Sequence, residues 1–447
     1  MKRLAVLVAC VVAAACLGQA AGKGRPLPAA GADAPAAAAR VLAAPTALQF
    51  PSDSAALHHF YRQLAHWQTT GQGRINILHI GASHVQAGVL TQRLRWHFAL
   101  LGDTAALPPR GLIFPYAAAR TNNPGNFKVS SQGQWKATRN VNKKHDLELG
   151  MSGIAISTHD PKARMSVNVN GDSRLHYTFD RLRLLSGASS PHFQPLVDDS
   201  IAGSYDAATQ SWCFVLPREQ ESFTLSFAVP TEAQTATTQT DALSGASTAS
   251  ATQLLSDYFQ LNGIILDNDR PGIVYHAIGV NGASVSDYLR CPHFQRDLQW
   301  LQPDLVIFGI GINDASKPDF DAKDFVSRYD SLIACIQSVN PEVSMIFMTN
   351  NDSYIARKKP NDKAIEAQAA FRELAGRHHA ALWDVFQFMG GLGSARQWRE
   401  QAYMKADLIH FTTTGYELLG DCLFQAIMQD YGRYYQPGQA DPNKPTE

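Results

Sequence analysis

The chain has 447 residues, and its 39 Lys plus Arg balance 39 Asp plus Glu, so the formal net charge is zero. That balance argues against a nucleic-acid partner, because such binders carry a basic excess or stripe. Hydrophobic residues make up 45% of the chain, a globular composition with length enough for roughly two or three domains.

Residues 1–20 read as an export signal. Lys2 and Arg3 precede an apolar run over 4–17, and Gly18-Gln19-Ala20 forms a small-x-small cleavage site. The run is short for a membrane span, and no positive cluster follows it. Ala13-Ala14-Ala15 before Cys16 is similar to a degenerate bacterial lipobox, so lipidation of Cys16, giving a membrane tether, is the alternative to plain cleavage. Residues 21–50 form an Ala/Pro-rich linker.

A first α/β segment spans 51–108. Leu57, Phe60, Tyr61 and Leu64 mark an amphipathic helix, and the apolar run 74–80 marks a buried strand. A turn at Gly81-Ala82-Ser83-His84 leads to Leu90, Leu94, Phe98 and Leu101 at helical spacing. From 109 to 270 the pattern changes to short alternating runs, such as Phe223-Thr224-Leu225-Ser226-Phe227 and Ser166-Val167-Asn168-Val169. Turn residues separate them, which predicts an inserted β-sandwich with a Thr/Ser/Ala/Gln loop at 230–253.

The α/β alternation resumes over 271–435. Strands are expected at 272–278, 305–308, 343–348 and 381–386. Helices are expected around Phe325, Tyr329, Leu332 and Ile336, at 362–377 and at 413–431. Such alternation predicts a parallel sheet with helices on both faces. A polar tail occupies 436–447. Cys213, Cys291, Cys335 and Cys422 stand outside the leader, and disulfide bonding or burial as free thiols are both open to them.

Ligands of open α/β sheets bind at the carboxyl ends of the strands. Four polar groups follow predicted strands. Ser83, after a glycine turn, opens a helix whose N–H groups favour developing negative charge, although an ordinary N-cap serine looks the same. Gly279-Val280-Asn281-Gly282 permits a tight turn. Gly309-Ile310-Gly311-Ile312-Asn313-Asp314 offers a side-chain amide that can donate to an oxyanion, while Asp314 suits a brace of its loop. Asp407-Leu408-Ile409-His410 places a carboxylate where it can orient a histidine.

Singly each group is commonplace. In this order, at strand-to-helix junctions, they resemble the four blocks of the SGNH (GDSL-type) hydrolase superfamily. The resemblance implies a flavodoxin-like three-layer α/β/α fold. It implies Ser83 as nucleophile, His410 as base and Asp407 as the support of His410. It further implies an oxyanion hole from the backbone N–H groups of Ser83 and Gly282 and the Asn313 amide. The usual first block has Asp where this chain has Ala82, which puts the rigidity of that turn in question.

The stretches 77–88, 110–116 and 275–283 are similar to bacterial peptidoglycan O-acetylesterases that carry a β-sandwich, resembling a carbohydrate-binding module, in the same place. That narrower resemblance implies removal of O-acetyl groups from an envelope polysaccharide by an exported, periplasmic or envelope enzyme. An O-acetyltransferase with the same triad and a non-catalytic glycan-binding protein are the alternatives. His84 is read as lining the pocket or packing beside the nucleophile, and Arg110 as touching the polymer or serving structure. Tyr177, Phe179 and Trp212 suit sugar stacking or the sandwich core, and His79 suits a core histidine. No metal-ligand spacing is present, and the implied mechanism needs neither metal nor cofactor.

Overall fold

Strict alternation of apolar side chains builds the central sheet. In a computed structural model, residues 47–171, 174–187, 193–228 and 258–435 are described. The export signal, Cys16, most of the linker, the 230–253 run and the tail lie outside them. Ile75 and Ile77 point to one face of the strand Arg74–Gly81, and Leu78 and Ile80 to the other. Leu305 and Ile307 alternate with Val306 and Phe308 in the same way, as Ile346 and Met348 do with Met345 and Phe347. Successive side chains of a strand point to opposite faces, so each strand feeds two apolar layers at once.

Five parallel strands form the sheet, in the order Gly272–Gly279, Arg74–Gly81, Leu305–Gly309, Ser344–Met348, Ala381–Trp383. Numbered along the chain this is 2-1-3-4-5, the flavodoxin-like order. Helices His58–Thr70, Val89–Ala99 and Thr413–Tyr434 cover one face through Phe60, Leu94 and Leu423. Helices Ala322–Gln337 and Lys363–Arg377 cover the other through Tyr329 and Phe371. The outer edge is closed by Gln49, which exchanges two 2.8 Å backbone hydrogen bonds with Leu382.

One expectation fails in detail. The strand at 381–386 stops at Trp383, and Val385–Met389 is helical. Asp384 is the cause: its carboxylate caps that helix by accepting from the Gln387 N–H, a local bond that outweighs the strand preference of Val385 and Phe386.

Among the described residues, the strands of the β-rich block pair antiparallel with one another. One five-stranded sheet runs Ser204–Asp206, Ser211–Gln220, Phe179–Leu185, Gly263–Asp267, Gly111–Ile113. A second runs Lys128–Gln132, Arg164–Asn168, Ser222–Phe227, Pro195–Val197, Ile201–Ala202, and a three-stranded sheet accompanies them. Phe179 of the first meets Phe223 of the second edge-to-face at 5.8 Å. The strands that open and close the block pair with each other, Ile113 opposite Ile264, so the chain leaves and returns at one place. Its core is continuous with one layer of the parallel sheet. Tyr177, Phe179 and Trp212 are all buried, which assigns them to that core rather than to an exposed sugar platform. Cys213, Cys291, Cys335 and Cys422 are free thiols.

Ile77 is fully buried in the central sheet. Ile77→Ala is expected to lower the unfolding free energy by about 2–5 kcal/mol in a urea titration. A loss below about 1 kcal/mol would contradict tight packing of that layer.

Candidate active site

The sheet register sets the site. Gly279, Gly81 and Gly309 lie opposite one another across three neighbouring strands, so these strands end level. The strand order reverses about Arg74–Gly81, and such switch points are where open α/β sheets bind ligands. The loops carrying Ser83, Gly282 and Asn313 therefore rise from one edge.

Buried tyrosines brace these loops. Tyr288 donates its hydroxyl to the Gly81 carbonyl at 2.8 Å, Tyr116 to Gly279 at 3.0 Å and Tyr329 to Ile310 at 2.6 Å. Burial pushes all three phenols up, so each stays a donor. Gln86 adds a cross-tie: its carbonyl accepts from the Asn281 N–H at 2.7 Å, and its amide donates to Thr121 and Asn122 of the inserted block. The sequence pattern marks none of these residues as functional. A Tyr or Gln within an apolar stretch carries no signal of which carbonyl it will meet.

Ser83 opens the short helix Ser83–Gln86, so its N–H is among those without an intrahelical partner. Ala82 is buried in the apolar cluster, where a carboxylate would be desolvated. Its carbonyl instead holds the turn, accepting from Gln86 at 2.9 Å and Val85 at 3.2 Å. Gly279 permits this close approach, since a methyl group there would sit 2.6 Å from the Gln86 nitrogen and 2.7 Å from the Ala82 oxygen.

The distant segment Asp407–His410 completes the cluster. Ser83 Oγ lies 2.8 Å from His410 Nε2, and His410 Nδ1 lies 2.8 Å from Asp407 Oδ2. The other Asp407 oxygen accepts from the N–H groups of Ile409 at 3.0 Å and His410 at 2.9 Å. Leu408 adopts a left-handed φ of 57° to make this turn, and its buried side chain holds it there. Partial burial would raise the Asp407 carboxyl. The His410 and Ile409 hydrogen bonds outweigh it and hold the group below its ordinary value. The carboxylate is therefore charged at neutral pH and suited to fix the imidazole.

Gly282 has a φ of 83°, and a Cβ there would meet nothing within 4 Å, so its loop is open on that side. Asn313 donates one amide hydrogen to the Ala283 carbonyl at 2.9 Å and keeps the second. Asp314 is mostly buried and accepts from Val285 at 3.2 Å, as expected of a brace. Asn313 and Asp314 thus tie down the residues that follow Gly282, at Ala283 and Val285. A serine with its base and three nearby loops rich in donors is chemically equipped for acyl transfer.

Arg110 and His84, each read as a substrate contact or a structural residue, both make structural contacts. Arg110 is only 3% exposed. Its guanidinium donates to Asn126 at 2.7 Å and lies over the rings of Phe127 and Tyr177, and burial lowers its pKa to about 9. These partners all belong to the inserted block, and the side chain lies beneath its surface. His84 turns Nδ1 to the Tyr416 hydroxyl at 2.8 Å and buries Nε2, which places it behind the nucleophile turn, 5.2 Å from the His410 ring. His79 is fully buried, with Nδ1 2.9 Å from Tyr275. Among the described residues no group of His, Cys, Asp and Glu has the makings of a metal site.

Gly279→Ala is expected to cost about 1–3 kcal/mol of stability, read by urea denaturation, because the methyl meets backbone that cannot yield. Burial pushes the Asp314 carboxyl from 3.8 up to about 6. Between these values the folded chain keeps a proton that the unfolded chain has released, so stability falls as pH rises through the window and is level above it. Asp314→Asn removes this fall. Urea titrations of both proteins from about pH 4 to 7 should show their difference changing only up to about pH 6.

The GDSL-like lipase/acylhydrolase family model matches residues 231–418, a span that holds Gly282, Asn313, Asp407 and His410 but not Ser83. No curated protein matches the chain. A solved peptidoglycan O-acetylesterase superposes with a TM-score of 0.68 at 19% identity, covering 87% of this chain and 99% of that one. Smaller overlaps occur with a lipase/acylhydrolase from Enterococcus faecalis (22% identity, 38% of this chain and 80% of that one, TM-score 0.29). An acetyl xylan esterase, AlAXEase, overlaps similarly (20% identity, 36% and 82%, TM-score 0.28). Residues 231–418 thus resemble the GDSL-like lipase/acylhydrolase family, and the chain, with its inserted β-sandwich, has the fold of a solved peptidoglycan O-acetylesterase.

Proposed function

We propose that this chain is an exported serine esterase that removes O-acetyl groups from an envelope polysaccharide, with peptidoglycan as the leading substrate. The unbroken line of Ser83, His410 and Asp407, at 2.8 Å and 2.8 Å, carries the reading. Ser83 Oγ attacks the acetyl carbonyl carbon while its proton passes to His410 Nε2. The Ser83 and Gly282 N–H groups and the free Asn313 amide hydrogen stabilise the oxyanion. The bond to the sugar oxygen then breaks, and His410 returns the proton to that oxygen. Water, with His410 again as base, releases acetate from acetyl-Ser83.

The polysaccharide assignment draws on the neighbour, which is a peptidoglycan O-acetylesterase, and on the inserted β-sandwich at 109–270. Export to the periplasm or envelope draws on the leader at 1–20, with lipidation of Cys16 as the alternative to plain cleavage. No helix among the described residues is long and apolar enough to cross a membrane.

Acetate release from O-acetylated peptidoglycan and from acetylated xylan tests the proposal. Wild type should act on the first, and Ser83→Ala should reduce release to background. Asn313→Ala should lower kcat by about a hundred- to thousandfold. Equal inactivity of wild type and Ser83→Ala on every ester, including small aryl acetates, would overturn the esterase reading. Release that requires an added glycan acceptor, with acetylated glycan accumulating, would replace it with transfer.

A further inference from the structure

Beside the Ser83 turn lies a cavity of about 40 Å³, none of whose lining residues belongs to the inserted block. Apolar side chains form most of its wall, among them Leu90, Met348 and Leu419. Six polar side chains also line it; Thr349, Asn351 and Tyr416 have protein partners, whereas His79 Nε2, His84 Nε2 and Asn350 Nδ2 are buried atoms without one. His79 and Asn350 are 0% and 8% exposed. An unpaired buried polar atom costs about 1–3 kcal/mol, so three around one small cavity would be a heavy burden on the fold. Purely apolar cavities of this kind stay dry, whereas a site with two to four polar partners and more than about 10–15 Å³ holds a water.

We propose that this cavity is an internal water site, in which an ordered water is held jointly by His79 Nε2, His84 Nε2 and Asn350 Nδ2. Asn350 Nδ2 can only donate, so the water accepts from it. Burial drives both imidazoles to pKa values of about 3, so each is neutral and offers one donor and one acceptor nitrogen. Having accepted from Asn350, the water can accept from one ring Nε2–H and donate to the other ring, or donate to both, so at least one of the two rings presents an unprotonated Nε2 to it.

The site bears on the reacting histidine through His84. With its Nε2 held by the water and its Nδ1 by Tyr416, the His84 ring is fixed at both ends against His410. Tyr416 also packs on Phe411, the residue after His410, at 5.4 Å. His84 is thus a positioning residue, and the water supplies its second anchor. This last step rests on the proposed esterase activity, whereas the water site does not.

A high-resolution crystal structure of the full chain tests the site directly. A peak refining as water within hydrogen-bond distance of His84 Nε2 and Asn350 Nδ2 is expected. A dry cavity, or direct pairing of these side chains with each other, would overturn the proposal whether or not the protein is an esterase. Asn350→Leu, which removes the donor and fills the space, should lose the peak. It should lower kcat on an aryl acetate about three- to tenfold with KM unchanged, a loss of near 1 kcal/mol in transition-state stabilisation. Asn350→Ser, which keeps a donor and leaves room for water, should restore both peak and kcat. Unchanged kcat in Asn350→Leu, in a chain that folds normally, would overturn the positioning role.

Discussion

The hydrogen bond between Ser83 and His410 joins residues 327 apart in sequence, and the fold can be understood as what makes that contact dependable. A serine at a loop tip and a histidine before the last helix have no local reason to meet. They meet because parallel strands must all end on one edge, and because that edge is level at Gly279, Gly81 and Gly309. The final helix Thr413–Tyr434 packs against Val89–Ala99, which follows the serine turn directly. His410 is thereby carried back over Ser83.

Level strands alone would leave the loops free to sway. Buried tyrosines remove much of that freedom by satisfying the carbonyls at the strand ends, groups that would otherwise be costly to bury. The Asn313–Ala283 and Asp314–Val285 bonds then fasten the second and third loops together, and Gln86 fastens the first to the second. Gln86 also donates to Thr121 and Asn122, so the inserted block is part of the frame as well as an attachment. In this frame the unusual Ala82 is no weakness. The turn is held by its backbone carbonyl and by Tyr288, neither of which depends on the side chain at 82.

Much of this was legible in the sequence because it is periodic or local. Alternating apolar pairs, such as Ile77 with Leu78 and Ile307 with Phe308, declare a sheet buried on both faces. Asp407 and His410 are three residues apart, so their contact needs only a turn. Where local capping competes with strand preference, as at Asp384, the pattern misleads. The meeting of Ser83 with His410 was legible only through resemblance, since spacing says nothing about contacts made by topology. Arg110, left open between polymer contact and a structural role, lies beneath the surface on Phe127 and Tyr177, held by Asn126, a placement that its residue type does not announce. The bracing tyrosines were invisible for a related reason, as their role resides in which carbonyl each hydroxyl happens to reach.

The central claim is that Ser83 is a nucleophile activated by His410, and covalent labelling tests it most directly. Treatment of the folded chain with an organophosphonate that reacts with activated serines, followed by peptide mass analysis, should find one adduct, on the peptide bearing Ser83. The adduct should vanish in His410→Ala. Labelling at another serine, or none on a chain whose fold is intact, would contradict the account.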